Sequence, residues 1–310
     1  MTTVLRDRAA LVAAGLLLDR ALGEPPARLH PVALFGRGMT AVEARLWADD
    51  RARGVGYAAL GVAAGALAGR VLGRVPGGLA LAVAVAVAGR MLRETASEVE
   101  RPLLTGDLAG ARAALPALVG RDPSELDESG ISAAVVESLA ENSVDAVIAP
   151  ACWALVAGAP GDLAHRAVNT MDAMVGHRSA RYERFGWAAA RLDDVANWVP
   201  ARVFAALVAL VRPGRAARVR ALVHRDAKAH PSPNAGVAET AVAAALGRQL
   251  GGTLRYGDRV EERPLLGEGP RPTPADVARA RRLVDDVERA AVALLLLAAL
   301  AGRRTPWRSR

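Results

Sequence analysis

The amino-acid sequence predicts an all-α, multipass integral membrane protein whose polar loops or short helices form a site facing the cytoplasm. Three observations lead there. Two runs, 54–69 ("GVGYAALGVAAGALAG") and 75–89 ("VPGGLALAVAVAVAG"), are apolar, uncharged and close to membrane length. The chain is 52% hydrophobic and 4% aromatic, with a mean hydropathy of +0.18, far from the signature of disorder. Its polar segments lack the β-branched alternation of a sheet, except that "GGTLRYGDRVEERPLLG" at 251–267 reads as a short hairpin. Neither a Gly/Ser- or Pro-rich linker nor a solenoid-period repeat divides residues 1–310, which predicts one domain.

The N-terminal stretch "MTTVLRDRAALVAAGLLLDRAL" pairs a charged start with an apolar run. Asp19 and Arg20 stand where a small-residue cleavage site would be needed, so the stretch is expected to be retained. Prolines and glycines in "DRALGEPPARLHPVALFGRGM" predict a fixed, non-helical loop carrying Asp19, Glu24, His30 and Arg37. The two apolar runs follow as a helical hairpin, with Arg70 and Arg74 in its connection and small residues that favour close helix packing. Three weaker apolar runs come later, at 146–160, 199–211 and 290–301. The thirteen residues 199–211 reach about 20 Å as a helix, under the roughly 30 Å hydrocarbon core, which fits a re-entrant or protein-buried helix. Trp187 and Trp198 read as interface anchors. Thr273, Pro274 and Asp276 predict a helix start by cap, first-turn proline and an acid at the positive end of the dipole.

The net charge is +8, carried almost wholly by arginine, with Lys228 the single lysine. No aromatics interleave with the arginines and no nucleic-acid motif is present, so nucleic acid is not an expected partner. One cysteine, Cys152, excludes an intrachain disulfide framework and a cysteine metal site, and its apolar setting predicts a buried thiol.

Chemistry concentrates in a few places. On a helix over 131–148, Glu137, Glu141 and Asp145 form a slowly drifting acidic stripe beside Ser138 and Asn142, with no lysine or arginine from Ala133 to Ala164. An exposed acidic face and a cradle for a hard cation both fit that pattern, and the clustered oxygens favour the cradle. Farther on, Asn169 and Asp172 share a helical face, and Asp193, Asp194 and Asn197 form a DDxxN arrangement suited to a phosphate-bound metal. Arg178, Arg181, Arg184 and Arg191 would supply phosphate donors. The stretch "HRDAKAHPSPNAG" holds Lys228, His230, Ser232 and Asn234 in a second rigid loop without zinc-ligand spacing.

Four motifs, "LLLDRALGEPPARLHPV", "ESLAENSVDAVIAP", "RAVNTMDAMVGHRSARYERFGWAAARLDDVANWVPAR" and "HPSPNAG", follow one another along the chain in order. In these the sequence resembles the adenosylcobinamide-phosphate synthase family of cobalamin biosynthesis (CobD/CbiB), an integral membrane family. The resemblance implies ATP-dependent joining of adenosylcobyric acid, a corrinoid, to (R)-1-aminopropan-2-ol or its O-phosphate. It also implies residence in the cell membrane. A carboxylate is a poor acyl donor, so ATP must first activate it, which calls for Mg²⁺ and charge neutralisation. Without GxxxxGK[ST] the nucleotide site is not a P-loop.

On that chemistry Glu137, Glu141, Asp145, Asp172, Lys228 and His230 are the expected catalytic groups. Glu141, Asp145, Asp193 and Asp194 are the expected metal ligands. Asp19, His30, Arg37, Asn142, Asn169, Arg178, Arg181, Arg191, Asn197, Ser232 and Asn234 are the expected contacts to ATP and substrate. The residues alone leave two other readings open, an intramembrane Mg²⁺-dependent prenyltransferase and a transporter. Pairing of helix ends into a homo-oligomer also stays open.

Overall fold

The computed structural model describes residues 2–26, 28–120, 122–177, 179–256 and 259–301. The α-helices are α1 (Thr3–Leu22), α2 (Pro31–Leu46), α3 (Arg51–Leu72), α4 (Gly78–Ala86), α5 (Gly89–Leu104), α6 (Leu108–Ala114) and α7 (Glu128–Ser143). They continue as α8 (Ala149–Met171), α9 (Trp187–Ala196), α10 (Trp198–Val211), α11 (Ala216–Asp226) and α12 (Ala235–Leu246). Strands β1 (Gln249–Tyr256) and β2 (Arg259–Gly267) then pair antiparallel before α13 (Pro274–Leu300), so the hairpin read from the sequence is present. Two compact units share the chain: Met1–Ala88, Pro150–Asp193 and Arg289–Arg310 make the first, Gly89–Ala149 and Asp194–Glu288 the second.

In the first unit, the Thr2 side chain caps α1, and Gly23, at φ 71°, ends it by donating its N–H to the Asp19 carbonyl at 2.7 Å. Asp19 is therefore helical, as is Arg37 in α2. Among the described residues the non-helical stretch is cut to Gly23–Pro26 and Arg28–His30, because the Pro31 ring fits the first helical position and lets α2 begin there. Asp50 caps α3. Along α3 a stripe of glycines lets neighbouring chain approach closely. A Cβ at Gly54, Gly65 or Gly69 would lie 2.0, 2.5 and 2.2 Å from the carbonyl oxygens of Phe185, Leu163 and Ala159. A Cβ at Gly61 would meet Met171 Sδ at 2.3 Å. Around this seam Met39, Tyr57, Met171, Val175 and Phe185 form a buried core.

The second arm of the expected hairpin differs from the sequence reading. Gly77, in the left-handed region at φ 74°, delays its start, and Val87 turns extended at its end. The nine residues of α4 reach about 14 Å, too short to cross a bilayer, and lie against α1, where a Cβ on Gly15 would collide with Val83. Among the described residues two helical runs, Arg51–Leu72 and Glu128–Gly176, are long and apolar enough to cross a membrane, and α9 with α10, bent by 41°, adds a third if counted as one span.

Within Glu128–Gly176, Gly158 (φ 67°) breaks α8 just before Pro160. Pro160 has no N–H for the Val156 carbonyl, and Arg8 of α1 replaces it, donating to Val156 O at 2.5 Å and to Leu155 O at 3.4 Å. Cys152, expected to be buried, is half-buried, because this helix keeps one side of its apolar run away from the core.

In the second unit α12 is buried at every position, and α7, α10, α11 and the β-hairpin pack around it. The start of α13 follows its sequence signals. The buried Asp276 carboxylate accepts from Thr273 N–H and Oγ1 at 2.9 and 2.8 Å and faces Arg248 at 2.8 Å.

The α3 seam predicts an asymmetry between glycines on one helix. Gly69→Ala pushes a methyl into backbone that cannot rotate away and should cost about 3 kcal/mol, whereas Gly56→Ala, with nothing within 4 Å, should be neutral or stabilise by up to about 1 kcal/mol. Thermal denaturation in detergent reads the difference, and equal melting temperatures would contradict the seam.

Candidate functional site

In the first unit, residues from three chain segments converge. His30 caps α2, its Nδ1 accepting from the Val32 N–H at 3.2 Å, and its Nε2 lies 3.1 Å from Glu24 Oε2. Burial, followed by the nearby charge of Arg166, pushes the His30 ring below its ordinary range. Burial pushes the Glu24 carboxyl up, partly offset by Arg166 and reinforced by the neighbouring Asp19. Both partners are thus driven towards their neutral forms, the response expected of a desolvated pair. Arg166 donates to Asn169 Oδ1 at 3.1 Å, and Asn169 Nδ2 reaches Asp193 Oδ1 at 3.4 Å.

Asp19, His30, Asn169 and Asp193 of the sequence expectation therefore belong to one cluster, and Asp19 is buried. Asp172 lies on the π-helical turn Asp172–Gly176, close against Gly176. Arg181 is exposed and bonds Glu43 at 3.0 Å, beside the Tyr182 hydroxyl on the same carboxylate at 2.8 Å. Arg37 and Arg191 are exposed, and Arg178 lies outside the described residues.

The second unit holds the other expected residues. Glu137 is only 4% exposed, and its carboxylate accepts from the Gly251 N–H of β1 at 2.9 Å. Asp145 sits on the π-helical turn Val144–Ile148 and accepts from Asn197 Nδ2 at 3.1 Å. Asn142 donates to Ser138, and Glu141 faces solvent. The acidic stripe is thus divided: its first member anchors a strand, its second is exposed, and the third is turned by the wider π-turn to pair with the DDxxN asparagine. Asn234 donates to the Asp194 carbonyl at 2.8 Å and accepts from Arg202 at 3.2 Å, so the second loop does reach the aspartate motif.

Ser232 Oγ accepts from the N–H groups of Asn234 and Ala235 and thereby starts α12. His230 is held from both sides: Arg263 stands 2.8 Å from Nε2, and Nδ1 meets the N–H and carbonyl of Ser232. A guanidinium only donates, so Nε2 is the acceptor in the Arg263 contact, while Nδ1 can accept the Ser232 N–H or donate to the Ser232 carbonyl but not both at once. Lys228 is exposed on a short 3₁₀ turn. Among the described residues no group of three His, Cys, Asp or Glu is arranged to hold a metal ion.

Sequence reasoning missed Asp162, His165 and Arg166 in the first unit and Glu239 in the second, all with polar atoms inside otherwise apolar helices. A signal was available: "GDLAHRAVN" puts an acid, a histidine, an arginine and an asparagine at helical spacing just beyond an apolar run.

Residues 12–284 match the family described as CobD/Cbib protein. The chain belongs to that family. A "Cobalamin biosynthesis protein CobD" from Mycobacterium bovis is 44% identical over 313 residues, covering 98% of this chain and 99% of the relative. A protein of the same name from Chromobacterium violaceum is 44% identical over 87% of this chain and 90% of its own length. Another from Rhodobacter capsulatus reaches 51% over 191 residues, 61% of this chain and 60% of its own. No solved structure matches. In this CobD/Cbib chain both clusters fall within residues 12–284, so the polar groups just described lie in the part that defines the family.

The His30–Glu24 pair predicts a pH dependence. A histidine whose folded-state pKa is lowered contributes stability fully above its ordinary value of 6.5, and loses it as the pH falls below that value and the unfolded chain takes up the proton. Glu24, with a raised pKa, acts in the opposite direction from about pH 4.5 upwards. His30→Asn keeps a capping acceptor for α2 and leaves Glu24 in place. Melting temperatures of wild type and His30→Asn should diverge as the pH drops through 6.5, the wild type falling faster; parallel curves would contradict the assignment.

Proposed function

We propose that this chain is an ATP-dependent amide ligase of cobalamin biosynthesis, a multipass protein of the cell membrane whose site opens to the cytoplasm. It joins adenosylcobyric acid to (R)-1-aminopropan-2-ol, normally as the O-phosphate, and releases adenosylcobinamide phosphate. The observation that carries this reading is relatedness over almost the full length of both chains to a protein named for cobalamin biosynthesis. Apolar helices of membrane length support the location.

The reaction has two steps. The corrinoid carboxylate attacks the γ-phosphorus of ATP, forming an acyl phosphate and releasing ADP. The amine nitrogen then attacks the acyl carbon, the C–O bond to phosphate breaks, and a proton leaves the nitrogen. Because the described residues hold no preformed three-ligand metal site, Mg²⁺ is assigned to the nucleotide, arriving on its phosphates and neutralising their charge. The chain's own residues have the tasks of orienting and excluding water. Asn197 fixes Asp145, Asn234 ties the loop before α12 to the Asp194 backbone, and Glu141 lies exposed on α7.

Purified protein should release ADP and phosphate only when corrinoid, amino alcohol and Mg²⁺ are all present. Equal ATP turnover without the corrinoid would remove the ligase reading. Glu141→Gln and Asp194→Asn should each lower turnover at least ~100-fold while membrane insertion stays normal.

A further inference from the structure

Asp162 is the anomaly of the first unit. It is 0% exposed, and neither carboxylate oxygen has a hydrogen-bond partner among the described residues. It lies on α8, just past the break at Gly158 and Pro160, and one helical turn before Arg166. Asp162, Arg166 and Asn169 stand at i, i+4 and i+7 on one face of α8, so the carboxylate lies on the helix face whose Arg166–Asn169 bond belongs to the cluster already described. Arg166 itself bonds Asn169 and makes no ion pair with Asp162.

A buried carboxylate without a donor costs several kcal/mol, and a core built for stability alone would fill the position with an apolar side chain. An incoming group must therefore bring donors and, for an ionised acid, positive charge. A divalent metal lacks a converging set of three ligands among the described residues. A primary ammonium meets the need: it is small, singly charged, and carries three N–H donors for the two oxygens.

We propose that Asp162 binds the ammonium group of the amino alcohol substrate, and that the polar face of α8 it shares with Arg166 and Asn169 forms the amine subsite. The assignment rests on the ligase reading for the identity of the amine. Asp162 holds the ammonium at a fixed place and takes up the proton that the nitrogen loses as it becomes the free, nucleophilic amine.

The test uses full-length protein in phosphatidylglycerol nanodiscs, so that no lipid amine competes, with product formation measured against each substrate in turn. Asp162→Asn keeps the shape of the side chain and removes the charge. Its KM for aminopropanol phosphate should rise about 30-fold or more, with KM for ATP and for the corrinoid within about twofold of wild type. An unchanged KM for the amine in a variant that still makes product overturns the assignment and leaves the ligase reading standing.

A second measurement needs no variant. Propane-1,2-diol phosphate, which lacks the nitrogen, should fail to inhibit wild type at concentrations where the amine saturates it. Inhibition by the diol phosphate at the amine's own KM overturns the assignment even if Asp162→Asn does not fold. A wild type that forms no product with any amino alcohol overturns the assignment together with the ligase reading.

Discussion

The first unit depends on how closely α3 approaches the backbone of its neighbours. Carbonyl oxygens of Ala159, Leu163 and Phe185 occupy the positions where side chains on Gly69, Gly65 and Gly54 would begin. Between apolar helices in lipid there is little hydrophobic driving force, so such contact is held by dispersion summed over many atoms at short range. Glycine is the residue that permits it. The seam also fixes α8 in rotation: with Ala159, Leu163 and Ala167 turned towards α3, Asp162, Arg166 and Asn169 occupy another side of the same helix. The polar cluster is thus a consequence of the apolar seam.

Arg8 extends the same logic to a broken helix. Pro160 has no N–H to give the Val156 carbonyl, and the break at Gly158 stands just before it. The guanidinium of α1 takes that role. A break satisfied from another helix is anchored, so the residues beyond it start from a defined position. In the second unit α12 has no exposed face, and its surroundings must therefore satisfy Glu239 and the loop that starts it. His230, Ser232 and Asn234 act mainly as this framework: each bonds backbone or a neighbouring side chain that sets where α12 begins.

Much of this was legible in the sequence. The α3 run, the start of α13 and the β-hairpin each carry local signals: an uncharged small-residue run, a Thr-Pro-x-Asp order, and alternation between glycines. The length of α4 was not legible, because an apolar run does not reveal that Gly77 and Val87 will take non-helical angles at either end. Pairings such as Asp145 with Asn197 were anticipated only as membership of one motif set, since they join residues far apart in sequence. The acidic stripe misled in geometry for a specific reason. Forty degrees of drift per step assumes an unbroken α-helix, and the π-turn at Val144–Ile148 breaks that assumption just where Asp145 lies.

The two clusters differ in how their charges are resolved. In the second unit most buried acids meet donors: Glu137 a strand N–H, Asp276 a threonine and arginines, Glu100 the guanidinium of Arg281. These arrangements stabilise, because each acceptor exchanges water for a fixed donor of good geometry. In the first unit the solution is different. Glu24 and His30 are pushed towards neutrality, the Arg166 charge is spread over several neighbours, and Asp162 has no donor among the described residues. A network resolved only in part is less stable than an apolar core of the same shape. The proposed amine subsite accounts for its place beside an otherwise tight glycine seam, because the ligand's own charge would complete the set.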